Sequence, residues 1–163
     1  MKKVAVILGS DSDLPVLEGA FQTLSSLGIP FEAHVFSAHR TPDEAANFAK
    51  NARKNGFGVL IGAAGMAAHL AGALAARTTL PVIGIPVAGK RFDGMDALLS
   101  TVQMPSGMPV ATVAVDGAKN AALLAAEILA VEEETLAVKL DAMREEQRKA
   151  VLSKDEALVS RFL

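Results

Sequence analysis

An imidazole and a permanent cation stand next to each other at His39 and Arg40. An imidazole titrates near neutral pH, so His39 is a candidate for proton transfer. A guanidinium binds phosphate or carboxylate through paired hydrogen bonds, so Arg40 is a candidate for anion binding, with the Ser37 hydroxyl as a nearby donor. The structural alternative is that His39 caps a local turn and Arg40 pairs with Asp43. The residue types leave both interpretations open.

A second segment, Gly-Ser-Asp-Ser-Asp at residues 9–13, precedes a predicted helix. Backbone N–H groups at a helix start suit a phosphate, and Ser10 and Ser12 can add hydroxyl donors. Asp13 is suited to accept hydrogen bonds from a sugar. Ordinary helix capping explains the same residues without a ligand. The segment is neither a Walker A loop nor a GxGxxG turn, which disfavours ATP and NAD.

A third segment, residues 62–70, consists almost entirely of Gly and Ala and ends in His69 and Leu70. Small residues such as Gly65 and Ala67 let a ligand approach the backbone closely. A histidine in the first turns of a helix, such as His69, is usually a satisfied core residue. His39 and His69 have no HxH or HExxH spacing and no carboxylate nearby in sequence, so we expect no metal site.

The elements that position these segments follow from the apolar pattern. Short β-branched runs predict strands at residues 3–8, 31–36, 57–62, 81–85 and 110–115. Longer segments between and after them predict helices at 14–27, 42–55, 66–77, 95–102 and 119–131. This alternation predicts one α/β domain over residues 1–163, a three-layer flavodoxin-like fold with a five-stranded parallel sheet. The three segments all follow strands, so we expect them to converge on one crevice.

The chain after Val131 changes to a charged helical pattern. One face of this pattern carries Leu136, Leu140, Met143, Gln147 and Val151. We interpret residues 132–163 as a helical extension with no strand beneath it, packed on a neighbouring subunit. The chain is also 51% hydrophobic and only 21% charged, which favours apolar faces buried between subunits.

Composition excludes several classes of protein. Lys plus Arg total 16 and Asp plus Glu 18, a net charge of −2 that offers no basic surface for nucleic acid or a membrane. The absence of cysteine rules out disulfides and thiol chemistry. The apolar stretch from Phe57 to Gly89 is interrupted by Arg77, Pro81 and Pro86, so it does not predict a membrane span. We expect a cytoplasmic protein.

Five motifs in this order resemble the PurE family over residues 3–130. They are GSDSD, SAHRTP, AAHL with a Gly two residues later, VQMPSGMPVAT at 102–112 and AKNAALLAAEIL at 118–129. Arg40, where class II enzymes would carry Lys, and His69 make the chain similar to class I. That resemblance implies a mutase that converts N5-carboxyaminoimidazole ribonucleotide to its 4-carboxy isomer in purine biosynthesis.

The resemblance also implies how such an enzyme works. Decarboxylation and recarboxylation would use His39 as the proton carrier, no cofactor and no metal. The active sites would lie in a homo-octamer whose C-terminal helices reach neighbouring subunits. The residues implied in substrate binding are Ser10, Ser12, Asp13, Ser37, Arg40, Gly65, Ala67, His69 and Leu70.

Two other functions remain as alternatives at this point: a class II carboxylase that uses free CO2, and a non-catalytic nucleotide-binding module. The chain departs from the family pattern at Ala63, Met66 and Ala71, and the first two should border the pocket. Lys90 and Arg91 are interpreted as surface charges.

Overall fold

Strands and helices alternate along the chain, which a computed structural model describes from Met1 to Leu163. The strands are β1 Lys3–Leu8, β2 Phe31–Val35, β3 Phe57–Gly65, β4 Val82–Val87 and β5 Ala111–Thr112. The α-helices are α1 Leu14–Leu27, α2 Pro42–Asn51, α3 Leu70–Ala75, α4 Met95–Val102, α5 Ala118–Ala130 and α6 Glu134–Phe162. Short 3-10 helices, Asp11–Asp13 and Phe92–Gly94, precede α1 and α4.

All five strands run parallel in the order β2-β1-β3-β4-β5. This is the flavodoxin-like order, and it confirms the predicted fold class. The chain moves from β1 to β2 in one direction and from β3 onwards in the other. The connections that leave β1 and β3 therefore diverge, and a crevice opens at the carboxyl ends of these strands.

Helices cover both faces of the sheet, as expected for a parallel sheet with apolar strands. On one face, side chains such as Val4 and Val6 pack with Leu17 of α1 and with the alanines of α5. On the other, Ala5 and Ile7 pack with residues of α2 and α3. The alternation follows from the strand pleat, which points successive side chains to opposite faces.

Helix α4 lies close against β4 because Gly84 has no side chain. A Cβ atom at Gly84 would lie 2.4 Å from Thr101 Cγ2 and 3.3 Å from the Cβ of Ala71. A residue with a side chain could not be accommodated there without moving α4 or α3. This glycine thus sets how near α4 comes to the sheet.

The predicted helix over residues 66–77 is wrong at both ends. Strand β3 continues to Gly65, and α3 spans only Leu70–Ala75. Met66 has φ of 53°, a left-handed conformation that cannot continue into a right-handed helix. The residues between β3 and α3 therefore form a turn.

Other boundaries also differ from the predictions. The fifth strand pairs with β4 only at Ala111 and Thr112, although the Val113 and Asp116 N–H groups still donate to carbonyls of β4. Helix α2 ends at Asn51 rather than at residue 55, and hydrogen-bonded turns connect it to β3. Thr41 stands at the start of α2 but its side chain does not cap the helix.

The long helix α6 does not begin as an extension without a core. Leu136 and Leu140 are buried in this chain's own core against α5, which corrects the expectation that they face a neighbouring subunit. Further along, α6 exposes apolar side chains, which include Val151, Leu158 and Phe162. None of the helices combines the length and the apolar character needed to cross a bilayer.

Candidate active site

A cleft of about 1010 Å³ opens at the carboxyl ends of β1 to β4. The loops that follow these four strands form its walls. All the residues predicted to act in catalysis or substrate binding line this cleft: Ser10, Ser12, Asp13, Ser37, His39, Arg40, Gly65, Ala67, His69 and Leu70. The three segments therefore meet, as expected from strands of a parallel sheet.

The turn after β2 holds His39 and Arg40 through Ser37. The Ser37 hydroxyl oxygen accepts the backbone N–H groups of His39 (3.3 Å) and Arg40 (3.1 Å). Thr41 closes the same turn, since its hydroxyl accepts the Ser37 N–H at 2.8 Å. The hydrogen of the Ser37 hydroxyl remains free to be donated to a ligand, because a hydroxyl accepts two bonds and donates one.

His39 and His69 form a hydrogen-bonded pair. The Nε2 atom of His39 lies 2.7 Å from the Nδ1 atom of His69. One of these two nitrogens must donate and the other accept, so a single hydrogen lies between the two rings. No side chain or backbone group is bonded to the remaining nitrogens, His39 Nδ1 and His69 Nε2. Both exposed rings thus present one free nitrogen each.

The sequence analysis did not find this pair. From the residue types alone His69 is a helical histidine that is usually satisfied in the core, and only the family resemblance places it with His39 in the site, as a substrate-binding residue; neither predicts the hydrogen bond between the two rings. In the structure His69 stands in the turn before α3 and is exposed to the cleft. The available signal was topological, because both histidines follow strands whose ends meet at one edge of the sheet. No group of three or more His, Asp or Glu side chains converges as metal ligands would.

The turn after β1 is organised by its own serines. The Ser10 hydroxyl accepts hydrogen bonds from the Ser12 N–H (3.3 Å) and the Ser12 hydroxyl (2.8 Å). One N–H group that could bind a phosphate is therefore already used in a local cap. Asp13 is half-buried beside these serines, and burial raises the pKa of its carboxyl. Hydrogen bonds from the Ser12 side chain and the Ser10 backbone partly offset this increase in pKa. Repulsion from the charges of Asp11 and Asp116 raises the pKa further.

The turn after β3 supplies a small apolar wall. Gly62 and Ala63 were expected to belong to it, but they do not line the cleft. A Cβ at Gly62 would contact Ala71 of α3 at 3.3 Å or less, so this glycine serves helix packing. The wall begins at Ala64 and includes Met66, whose side chain is 72% exposed.

Lys90 and Arg91 also line the cleft, on the loop after β4. They are exposed, as predicted, but they face the site and are not merely surface charges. Neither forms an ion pair, and the same is true of Arg40. The cleft therefore presents three unpaired cations, which suits a ligand with more than one negative charge.

Comparison with known proteins agrees with this fold. The family model described as AIR carboxylase matches residues 3–150. A protein of Pyrococcus horikoshii named N5-carboxyaminoimidazole ribonucleotide mutase is 50% identical over 155 residues, covering 95% of this chain and 88% of the relative. A Bacillus subtilis protein of the same name is 51% identical over 158 residues, covering 96% and 98%.

A solved structure is similar as well. The crystal structure of Treponema denticola PurE matches with a TM-score of 0.85 and 28% identity, covering 95% of this chain and 97% of that one. The family model matches nearly the whole chain, and the alignments with the two relatives cover most of this chain and most of each relative. The chain belongs to the AIR carboxylase family, which includes the PurE proteins.

Proposed function

We propose that the protein is an N5-carboxyaminoimidazole ribonucleotide mutase of de novo purine biosynthesis. It is an isomerase that moves a carboxylate from the exocyclic nitrogen of its substrate to carbon 4 of the same imidazole ring. Relatives about half identical over almost the full chain carry this name. The observation in the structure that carries the proposal is the His39–His69 pair inside a cleft that presents three unpaired cations.

The reaction requires one proton to be delivered and one to be removed. The bond between nitrogen and carboxylate carbon breaks, CO2 is released, and the nitrogen takes up a proton. Carbon 4 then attacks the CO2, a carbon–carbon bond forms, and carbon 4 loses its proton. The net proton change is zero, so a single acid–base centre can serve both halves of the reaction.

The His39–His69 pair supplies this acid–base centre. We assign His39 as the residue that exchanges protons with the substrate through its free Nδ1 atom. When His39 holds the extra proton, its Nε2–H donates to Nδ1 of His69, and this hydrogen bond stabilises the charged imidazole. The route needs no ATP and no oxidation or reduction.

The anionic substrate is held by groups around this pair. We assign Arg40 and Ser10 to the phosphate and Asp13 to the ribose hydroxyls. Ser37 is a further hydroxyl donor, and Ser12 can donate to a ligand that replaces its bond to Ser10. Ala64, Gly65 and Ala67 form a small-residue wall beside the pair, with Leu70 buried behind it. Such a wall can confine CO2 between the two steps and limit the access of water.

We further propose a cytoplasmic homo-octamer. Only 43 of the 163 residues are buried within one chain although 51% are hydrophobic, which favours burial between subunits. The outer part of α6 is the strongest candidate, since Val151, Leu158 and Phe162 are exposed there by about half or more. The neighbouring subunits would cover these side chains.

A direct assay of isomerisation tests the proposed activity. Purified protein should convert N5-carboxyaminoimidazole ribonucleotide to the 4-carboxy isomer without ATP or added metal. A carboxylase would instead act on aminoimidazole ribonucleotide with a strict dependence on bicarbonate and would not use the N5-carboxylated form. A protein that binds the nucleotide but converts neither would be the non-catalytic module.

A further inference from the structure

One hydroxyl group, that of Ser100 on α4, joins the turn before His69 to the rest of the protein. The Ala68 N–H donates to Ser100 Oγ at 3.2 Å, and Ser100 Oγ lies 3.2 Å from the Met66 carbonyl as a donor. No other hydrogen bond connects residues 66–68 to a different element. The placement of this turn therefore depends on Ser100.

The hydroxyl has a second possible acceptor, the carbonyl of Asp96 one turn earlier in α4. A hydroxyl has one hydrogen and two lone pairs, so it donates to Met66 or to Asp96 at a given moment. The bond that it accepts from Ala68 is compatible with both orientations. The Ala68 N–H is thus the constant link between α4 and the turn.

The turn needs such a link because its backbone is not relaxed. Met66 has φ of 53°, in a region that residues other than glycine rarely adopt. Conformations of this kind persist only where surrounding contacts maintain them. The His69 ring, three residues further on, must remain within 2.7 Å of His39 for the pair to exist.

We propose that Ser100 is a positioning residue for the isomerisation, because it holds the turn 66–68 and so keeps His69 against His39. Ser100 does not line the cleft. Its contribution depends on the close packing of α4 on β4 at Gly84. This inference rests on the proposed function.

The test compares Ser100→Ala with a control on the same helix. The Thr101 hydroxyl donates to the Ala97 carbonyl at 2.7 Å, the same type of bond within α4 that Ser100 can make to Asp96. Thr101→Val removes that bond without touching the turn.

We expect Ser100→Ala to lower kcat about 10- to 100-fold, the scale of a catalytic group displaced by about 1 Å. KM should stay close to the wild-type value, and the pH profile of kcat should change. Thr101→Val should retain the kcat and the pH profile of the wild type.

Ser100→Cys provides a second variant of similar size with a weaker hydrogen bond, and it decides the question if Ser100→Ala does not fold. A wild-type kcat and pH profile in the folded Ser100 variant would overturn the inference, as would an equal loss in Thr101→Val. If the wild type isomerises the substrate and the Ser100 variants do so equally well, the inference fails but the proposed function stands. A wild type that does not isomerise the substrate overturns both.

Discussion

The rings of His39 and His69 meet edge to face, with centroids 4.9 Å apart and planes at 83° to each other. The two residues follow β2 and β3, which are separated in the sheet by β1. Two strand spacings amount to roughly 10 Å, so the side chains reach towards each other over the end of β1. The proposed proton-transfer centre therefore exists only because these two turns are folded towards each other.

Replacing His69 tests the role of the pair. His69→Asn removes the imidazole partner of His39 and should lower kcat about tenfold or more, the effect of losing a hydrogen bond of about 1.4 kcal/mol in the transition state. His34→Asn is the matched control, because His34 stacks on Phe36, packs at an angle against Phe48 and does not line the cleft. Steady-state kinetics should be measured for both variants. An equal kcat for His69→Asn and His34→Asn would contradict the role of the pair.

The cations of the cleft should act mainly on binding. Arg40→Ala should raise KM roughly 10- to 100-fold, because hydrogen bonds to charged groups contribute about 1.5–3 kcal/mol. Lys90→Ala and Arg91→Ala should raise KM less, since their loop lies at the opposite end of the cleft from Arg40.

Arg53→Ala is the control for the cations, an exposed arginine outside the cleft whose removal should leave KM unchanged. Inorganic phosphate should compete with substrate in the wild type and more weakly in Arg40→Ala. Competition that is identical in both proteins would place the phosphate elsewhere.

The half-buried carboxyl of Asp13 should reduce stability at neutral pH. Burial raises its pKa, so the folded state binds more protons than the unfolded state as pH rises from the ordinary value of 3.8. The free energy of unfolding therefore falls as pH rises from 3.8 to the raised pKa of Asp13, and this group lowers it no further at higher pH.

Asp13→Asn should remove this loss. The Tm of Asp13→Asn should exceed that of the wild type at pH 7, and the difference in Tm should narrow as pH falls towards 3.8. The variant should also bind substrate more weakly. Asp155→Asn on the exposed part of α6 should show no such pattern. A Tm at pH 7 that is lower for Asp13→Asn than for the wild type would contradict this account.

Much of the fold follows from sequence because local signals and burial agree. Leu14–Leu27 ends at Gly28, whose φ of 73° is typical of a helix stop, and β1 is an uninterrupted apolar run after Lys3. The turn at 66–69 could not be predicted in the same way. Its alanines favour helix, and only the pairing of β3 with β4 as far as Gly65 and the bonds to Ser100 hold it in another conformation.

The site was predictable as a set of segments but not as a geometry. Strand ends identified the segments around Ser10, His39 and His69, because parallel strands bring their carboxyl ends together. The contact between the two imidazoles depends on side-chain placement across β1, which has no local signal. Lys90 was assigned to the surface because a charge in a loop is usually solvated, whereas its position after β4 was the informative feature.

The assembly can be tested by a truncation chosen from the structure. Removing residues 132–163 would take Leu136 and Leu140 from the core and so confound folding with assembly. Deleting residues 148–163 leaves that core in place and removes the exposed apolar part of α6. We expect the shorter chain to remain folded and to form smaller species by light scattering. A full-length chain that is a fully active monomer at micromolar concentration would contradict the octamer.

The central claim is that His39 exchanges the protons of the isomerisation, and turnover of His39→Asn measures it most directly. Asparagine keeps a hydrogen-bonding side chain of similar reach but cannot carry a proton near neutral pH. With saturating N5-carboxyaminoimidazole ribonucleotide, kcat should fall about 10²- to 10⁴-fold, while substrate affinity measured by calorimetry stays close to that of the wild type. A folded His39→Asn protein that turns over within a few-fold of the wild type would contradict the account.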